Sequence, residues 1–115
     1  MATIYGIKAC DTMKKARAWL DAHQVEVTFH DYKVAGIDRL TLERFVDVHG
    51  WETVLNRSGT TFRKLAESDR DGLDRDRAID LMLDQPSMIK RPVLDLGDRT
   101  IVGFKPDIYA DAMRR

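Results

Sequence analysis

The fold is decided by residues 3–30, which read TIYGIKACDTMKKARAWLDAHQVEVTFH. The apolar run at 3–7 predicts a first strand that is buried rather than at an edge. The apolar face of the following helix recurs at helical spacing and consists of Met13, Ala16, Trp19 and Leu20. Residues 25–30 then alternate apolar and polar side chains, and Phe29 is expected in the core together with Trp19. The segment is therefore predicted to be β–α–β, a crossover that usually gives parallel strands.

The middle of the chain is predicted to be helical. Thr41 fits an N-cap, and Gly50 stands where the C-cap glycine of the same helix belongs. Asp74 is expected to cap a later helix, and Pro86 ends it.

The last third of the chain predicts two more strands and a helix. Residues 92–96 and 100–104 read as strands joined by the two-residue turn Gly97-Asp98. Pro106 fits the first position of a final helix. The order β-α-β, a helical block, then β-β-α resembles a thioredoxin-type fold with a mixed four-stranded sheet. We therefore predict an α/β fold in a single domain over residues 1–115, with a helical insertion at about 38–86.

The composition limits which functions and which cellular compartment we expect for this chain. The chain has 115 residues and a formal net charge of zero, with 19 basic and 19 acidic side chains. This balance gives no support for binding DNA or an anionic membrane. No apolar run approaches the ~20 residues of a membrane span, and the first residues show no signal-peptide pattern. With its single cysteine, the sequence predicts a cytoplasmic protein in a compartment that keeps thiols reduced.

That cysteine, Cys10, lies between the first strand and the helix that follows it. The first turn of a helix has unpaired N–H groups and a positive dipole end, and both favour an anion. Lysines at positions 8, 14 and 15 add positive charge nearby in sequence. A thiol in this position ionises more easily and suits a nucleophile or a redox sulfur. The alternative is a small buried hydrophobic side chain, a common role for free cysteine.

The sequence argues against a metal site and against a dithiol centre. Zinc sites need three or four ligands at short spacings, whereas His23, His30 and His49 are far apart. A Cys-x-x-Cys pair would place its second sulfur at position 13, where this chain has Met13. Cys10 therefore cannot form the internal disulfide of a dithiol switch. A thiol from another molecule must release any group that becomes covalently bound to Cys10.

Several segments together resemble a known family. The stretch Tyr5-Gly6-Ile7-Lys8-Ala9-Cys10-Asp11-Thr12, followed by Lys14-Lys15-Ala16, resembles the opening of the arsenate-reductase-like (ArsC) family and especially its YffB-type branch. Residues 15–20 are also similar to the first helix of the related Spx regulators. Three later segments agree in order, Leu55-Asn56-Arg57, Lys90-Arg91-Pro92-Val93 and Gly103-Phe104-Lys105-Pro106. The resemblance covers residues 3–113.

The resemblance implies that Cys10 is the active-site sulfur. In the arsenate-reducing members three arginines surround this cysteine and bind the oxyanion. Two of those positions match Arg57 and Arg91, and the third falls at Lys105. Arginine binds an oxyanion or carboxylate through two parallel bonds, whereas lysine acts as a point charge. The family pattern thus implies a cationic site for a negatively charged substrate; the alternative for each side chain is an ordinary surface charge.

Thr12 and Pro92 also receive roles from the resemblance. In thioredoxin-like folds the proline at this strand start is usually cis and faces the active sulfur, so Pro92 is expected to be cis. Asp11 or Thr12 is expected to cap the first helix. The hydroxyl of Thr12 could also hydrogen-bond the thiolate of Cys10.

The YffB-type branch looks more like a glutathione-dependent thiol reductase than an arsenate enzyme. We therefore predict a thiol/disulfide reductase, or a reductase of an arsenate-like oxyanion, that works with the single thiolate of Cys10. The external thiol is predicted to be glutathione as a co-substrate, and glutaredoxin is a further candidate partner. No bound cofactor is expected.

The alternative function is regulation. Spx-type relatives act by docking on RNA polymerase and do not turn over a substrate. Residues 15–20 support this interpretation, although most such regulators sense redox state with a Cys-x-x-Cys pair, which Met13 removes. Recovery of polymerase subunits with the chain would favour the regulator, and saturable consumption of glutathione would favour the enzyme.

Overall fold

The computed structural model describes residues 2–8 and 10–113. Its strands are β1 (Ala2–Gly6), β2 (Val27–Asp31), β3 (Val93–Asp95) and β4 (Thr100–Val102). Its helices are α1 (Asp11–Ala22), α2 (Tyr32–Ala35), α3 (Arg39–His49), α4 (Trp51–Val54), α5 (Thr60–Arg63), α6 (Glu67–Arg70), α7 (Arg75–Asp84) and α8 (Pro106–Met113), with a 3-10 turn at Pro86–Met88. None of the helices in these described residues combines the length and apolar character needed to cross a membrane.

The chain divides into two compact units. The first unit combines residues 1–31 with 91–115 and contains strands β1 to β4 together with α1 and α8. The second unit is residues 32–90 and contains α2 to α7 and the 3-10 turn. The helical insertion predicted at about 38–86 falls within the second unit.

The first unit is built on a mixed four-stranded sheet in the order β2-β1-β3-β4. Strand β1 runs parallel to β2 and antiparallel to β3, and β3 runs antiparallel to β4. Because β1 lies between two partners, its apolar sequence is that of a buried strand. The predicted α/β fold with a mixed sheet is confirmed.

The last two strands are shorter than predicted. Strand β3 begins only after Pro92, because proline has no N–H to donate to the ladder. Strand β4 ends just before Gly103, whose φ of +87° turns the chain out of the strand. The predicted turn between these strands is present, with Gly97 at a φ of +93°.

The core of the first unit is formed by α1 and α8 against the sheet. Its buried side chains are Ala2, Ile4, Met13, Ala16, Leu20, Leu94, Ile101, Tyr109 and Ala112. The expectation that Trp19 and Phe29 are core residues is wrong in degree, since both are only partly buried and pack against this cluster. Trp19 stacks on the exposed His23 ring with centroids 3.8 Å apart, and the Arg17 guanidinium covers the Phe29 ring at 4.6 Å.

Two predicted helix ends in the second unit are confirmed and one is wrong. Asp74 caps α7 by accepting the N–H of Arg77 at 2.9 Å, and Gly50 ends α3 with a φ of +86°. Thr41 is not the cap of α3, because the helix begins earlier. Its cap is Asp38, whose carboxylate accepts the N–H of Thr41 at 3.0 Å and the hydroxyl of Thr41 at 2.7 Å.

Replacing Asp38 with alanine is expected to lower the free energy of unfolding more than Thr41→Ala, because both cap hydrogen bonds end on the Asp38 carboxylate. The hydroxyl and N–H of Thr41 hold the pKa of Asp38 below its ordinary value. This stabilisation is therefore present above the unfolded-state pKa of the carboxyl and is lost as the pH falls through the folded-state value. Urea unfolding should show a difference between native and Asp38→Ala chains that shrinks on acidification, and a constant difference would contradict the assignment.

Candidate active site

Cys10 occupies the N-cap position of α1. Its backbone is extended, with φ −96° and ψ 129°, and its carbonyl accepts the N–H of Lys14 at 3.0 Å. The expectation that Asp11 or Thr12 caps α1 is wrong, because the helix already begins at Asp11 and no described side chain caps it. The N–H groups of the first turn are therefore available to the sulfur of Cys10.

The surroundings of Cys10 favour its thiolate. Partial burial raises the pKa of the thiol, but three hydrogen-bond donors lower it. These donors are the main-chain N–H of Met13, the guanidinium of Arg91 and the main-chain N–H of Thr12. The positive charge of Arg91 adds a Coulombic attraction to the thiolate. Together they outweigh burial and hold the pKa of Cys10 below its ordinary value.

Arg91 and Pro92 reach this site from the start of β3. The antiparallel register pairs Tyr5 with Val93, so the residues before Val93 lie at the same end of the sheet as the segment from β1 to Cys10. The Arg91–Pro92 peptide bond is cis, as expected for this proline. The sheet thus brings Arg91 to the sulfur although the two residues are far apart in the chain.

The other predicted site residues have different surroundings. Thr12 acts through its main chain, and its side chain is exposed. Lys105 immediately precedes α8 and accepts main-chain N–H groups of that helix with its carbonyl. Its side chain is exposed and is not among the groups that shift the pKa of Cys10. Arg57 belongs to the second unit, where its exposed guanidinium lies 5.9 Å from the centroid of the Trp51 ring. The substrate-binding roles of Lys105 and Arg57 stay predictions.

Sequence reasoning missed a contact between α1 and β1. Met13 is fully buried and lies against Gly6. A Cβ atom at position 6 would overlap the Met13 sulfur and come within 2.8 Å of its Cε atom. Because the N–H of Met13 also helps to lower the pKa of Cys10, the contact lies in the helical turn that stabilises the thiolate. A glycine within a strand often marks such a close approach, so Gly6 is the feature of the sequence that indicates this contact.

The chemistry that the cluster can perform follows from its groups. Cys10 offers a partly exposed sulfur, and main-chain donors and one guanidinium stabilise its anion. These groups suit a nucleophile that attacks another sulfur or an oxidised small molecule. Within residues 2–8 and 10–113, no group of three or more His, Cys, Asp and Glu side chains is arranged to hold a metal ion.

A stabilised thiol at the first helix of a β-α-β unit, together with a cis-proline just before β3, defines a thiol protein with a thioredoxin-like α/β fold. The chain belongs to the ArsC family, whose sequence profile matches residues 5–112. This match confirms the resemblance that its opening segment and its later segments indicated.

The chain is similar to several proteins over nearly its whole length. A solved YffB protein is 67% identical with a TM-score of 0.95, and the match covers 97% of this chain and 98% of that chain. An arsenate reductase (ArsC) related protein from Brucella melitensis is 55% identical, with a TM-score of 0.76 and coverage of 99% and 95%. An uncharacterized protein from Haemophilus influenzae is 38% identical, with coverage of 97% and 98%. A global transcriptional regulator Spx from Streptococcus mutans is 29% identical, covering 93% of this chain and 79% of the regulator.

Replacing Arg91 with glutamine is expected to raise the pKa of Cys10, because the variant loses a positive charge and a charge-assisted hydrogen bond to the sulfur. The measurement is the rate of Cys10 alkylation by iodoacetamide as a function of pH. Below the pKa, alkylation should be several-fold slower than in the native chain. Arg17→Gln is the matched control, because the Arg17 guanidinium lies over the Phe29 ring. Identical pH profiles for the native and Arg91→Gln chains would contradict the role of Arg91.

The Gly6–Met13 contact predicts a coupled effect on stability. Gly6→Ala should lower the free energy of unfolding by about 1–3 kcal/mol, the usual cost of overpacking a filled core. In a Met13→Ala background the same substitution should cost much less, because the overlapping atoms are gone. Urea unfolding of the four chains in this double-mutant cycle measures the coupling. An equal cost in both backgrounds would show that Met13 does not limit the space at position 6.

Proposed function

We propose that this chain is a monothiol oxidoreductase that reduces mixed disulfides with Cys10 as nucleophile and glutathione as the resolving thiol. The observation that carries the proposal is a thiol whose pKa is lowered by first-turn N–H groups and by Arg91. The sequence contains no second cysteine, and Met13 occupies the position of a resolving sulfur. A reactive thiol without an internal partner needs an external one.

In the first step the Cys10 thiolate attacks the glutathionyl sulfur of a mixed disulfide. A bond forms between the two sulfurs, the original disulfide breaks, and the substrate leaves as a thiolate that takes a proton from solvent. A lowered thiol pKa raises the fraction of Cys10 that is ionised and ready to attack. The product of this step is reduced substrate and glutathionylated Cys10.

In the second step the thiolate of a free glutathione attacks the glutathionyl sulfur on Cys10. Oxidised glutathione forms, and Cys10 leaves as a thiolate. The N–H groups and the guanidinium that stabilise this anion also make it a good leaving group. The proton that glutathione loses balances the one taken up by the substrate thiolate. One mixed disulfide and one glutathione therefore give one thiol and one oxidised glutathione.

Charge supports glutathione as the thiol substrate. Its carboxylates suit a cationic site, and Arg57 and Lys105 are the further cations proposed to bind them. An arsenate-like oxyanion is the other candidate substrate of the same sulfur. For this substrate Lys105 offers only a point charge, whereas the planar guanidinium of an arginine could make two parallel hydrogen bonds. Glutaredoxin is the proposed alternative reductant of the adduct on Cys10.

A regulatory function is the second candidate, and one feature of α1 favours it. The segment at residues 15–20, which is similar to Spx regulators, divides into a buried side and an exposed side. Ala16 and Leu20 are buried, whereas Lys15, Arg17 and Ala18 are exposed and could serve a partner such as RNA polymerase. The relative from Streptococcus mutans is a global transcriptional regulator.

Cys10→Ser is expected to abolish glutathione-dependent reduction of the mixed disulfide between glutathione and 2-mercaptoethanol. Serine is a good N-cap residue, so α1 should be retained and the loss should come from the missing sulfur. Turnover is measured as oxidised glutathione formed, and mass spectrometry after quenching should find one glutathionyl group on Cys10. Lys15→Gln is the matched control on the exposed face of α1 and should keep full turnover.

Three outcomes would overturn this proposal. Full turnover by Cys10→Ser would exclude Cys10 as the nucleophile. Absence of turnover by the native chain, combined with recovery of RNA polymerase subunits that Lys15→Gln weakens, would favour the regulator. Turnover with arsenate but not with the mixed disulfide would replace the disulfide with an oxyanion as substrate.

A further inference from the structure

The main chain that carries Arg91 is anchored outside the strand ladder. Strand β3 begins at Val93, so Arg91 and Pro92 precede its paired residues. Proline has no N–H, and the carbonyl of buried Pro92 accepts the N–H of Gly103 at 2.8 Å. The Gly103 peptide therefore helps to fix the backbone from which the guanidinium reaches Cys10.

Gly103 makes one hydrogen bond through its N–H and another through its carbonyl, to two different residues. Its φ is +87°, and a Cβ atom built there would meet nothing within 4 Å, so the backbone angle alone favours glycine. Its N–H donates to Pro92, and its carbonyl accepts the hydroxyl of Tyr109 at 3.3 Å. This hydrogen bond is longer than the typical O–H···O length of about 2.7–2.8 Å, and its contribution is correspondingly modest.

Tyr109 is held firmly while it makes this hydrogen bond. Its side chain on α8 is fully buried in the core of the first unit. Its ring meets Trp19 edge-on at 5.6 Å and Phe104 edge-on at 4.9 Å. Burial also raises the pKa of Tyr109, so the hydroxyl stays protonated and can donate throughout the physiological range. A phenylalanine ring would make the same packing contacts, so packing does not explain the hydroxyl group of Tyr109.

We propose that Tyr109 is a positioning residue for Cys10. Its hydroxyl holds the carbonyl of Gly103, and the N–H of the same residue holds the carbonyl of Pro92. Arg91 immediately precedes Pro92, so these hydrogen bonds keep its guanidinium close to the sulfur of Cys10. This role rests on the proposed function, since it matters to the reaction only if Cys10 is the reacting sulfur.

The test removes the hydroxyl and keeps the ring. Tyr109→Phe should raise the pKa of Cys10 and slow its alkylation by iodoacetamide below that pKa by about twofold, the low end of the range for one neutral hydrogen bond. Tyr32→Phe is the matched control, because Tyr32 is almost as fully buried, lies in the second unit and takes part in neither of these hydrogen bonds of Gly103. Its alkylation profile should equal that of the native chain. An unchanged profile for Tyr109→Phe would overturn the proposal.

A double-mutant cycle identifies the route of the effect. In an Arg91→Gln background, Tyr109→Phe should change the alkylation rate no further, because the hydroxyl acts through Arg91. An equal slowing in both backgrounds would overturn the proposal and show a general effect of the core. If Tyr109→Phe does not fold, Gly103→Ala perturbs the same peptide and should also slow alkylation; unchanged alkylation in it would likewise overturn the proposal. Alkylation uses neither glutathione nor a disulfide, so failure here is distinct from failure of the proposed function.

Discussion

The contact between Met13 and Gly6 is the constraint on which the site depends. It sets how closely the first turn of α1 approaches β1, and the same turn supplies two N–H groups to Cys10. A larger residue at position 6 would overlap the end of the Met13 side chain. A buried methionine at the fourth position of the Cys-x-x-x stretch also removes the second sulfur of a dithiol centre. One packing contact thus links the fold to monothiol chemistry.

The electrostatics of Cys10 is a balance between opposed effects. Partial burial disfavours the thiolate, whereas main-chain N–H groups and Arg91 favour it and prevail. The donors come from distant parts of the chain, the first turn of α1 and the start of β3. Gly103 donates its N–H to the carbonyl of Pro92, and its own carbonyl accepts the hydroxyl of buried Tyr109, so these hydrogen bonds connect the start of β3 with the core. The stabilisation of the thiolate therefore depends on both α1 and the residues that precede β3.

Periodicity predicted the order and type of the main strands and helices, because the side chains of buried elements repeat with the geometry of the backbone. The first residues of the helices were harder to predict from the sequence. The cap of α3 is Asp38 rather than Thr41, because α3 begins at Arg39 and Thr41 already lies inside it. Cys10 stands out by its place in the sequence, and the resemblance implied an arginine near it at position 91. The antiparallel pairing of β1 with β3, which brings Arg91 to that end of the sheet, is not indicated by the local pattern.

The most direct measurement is the pKa of Cys10 in the native chain, from the pH dependence of thiolate absorbance and of alkylation. If first-turn N–H groups and Arg91 outweigh burial, the value lies clearly below the ~8.5 of free cysteine, and alkylation is fast near neutral pH. A value at or above ~8.5 with slow alkylation would contradict this account, because the sulfur would then be an inert, partly buried side chain.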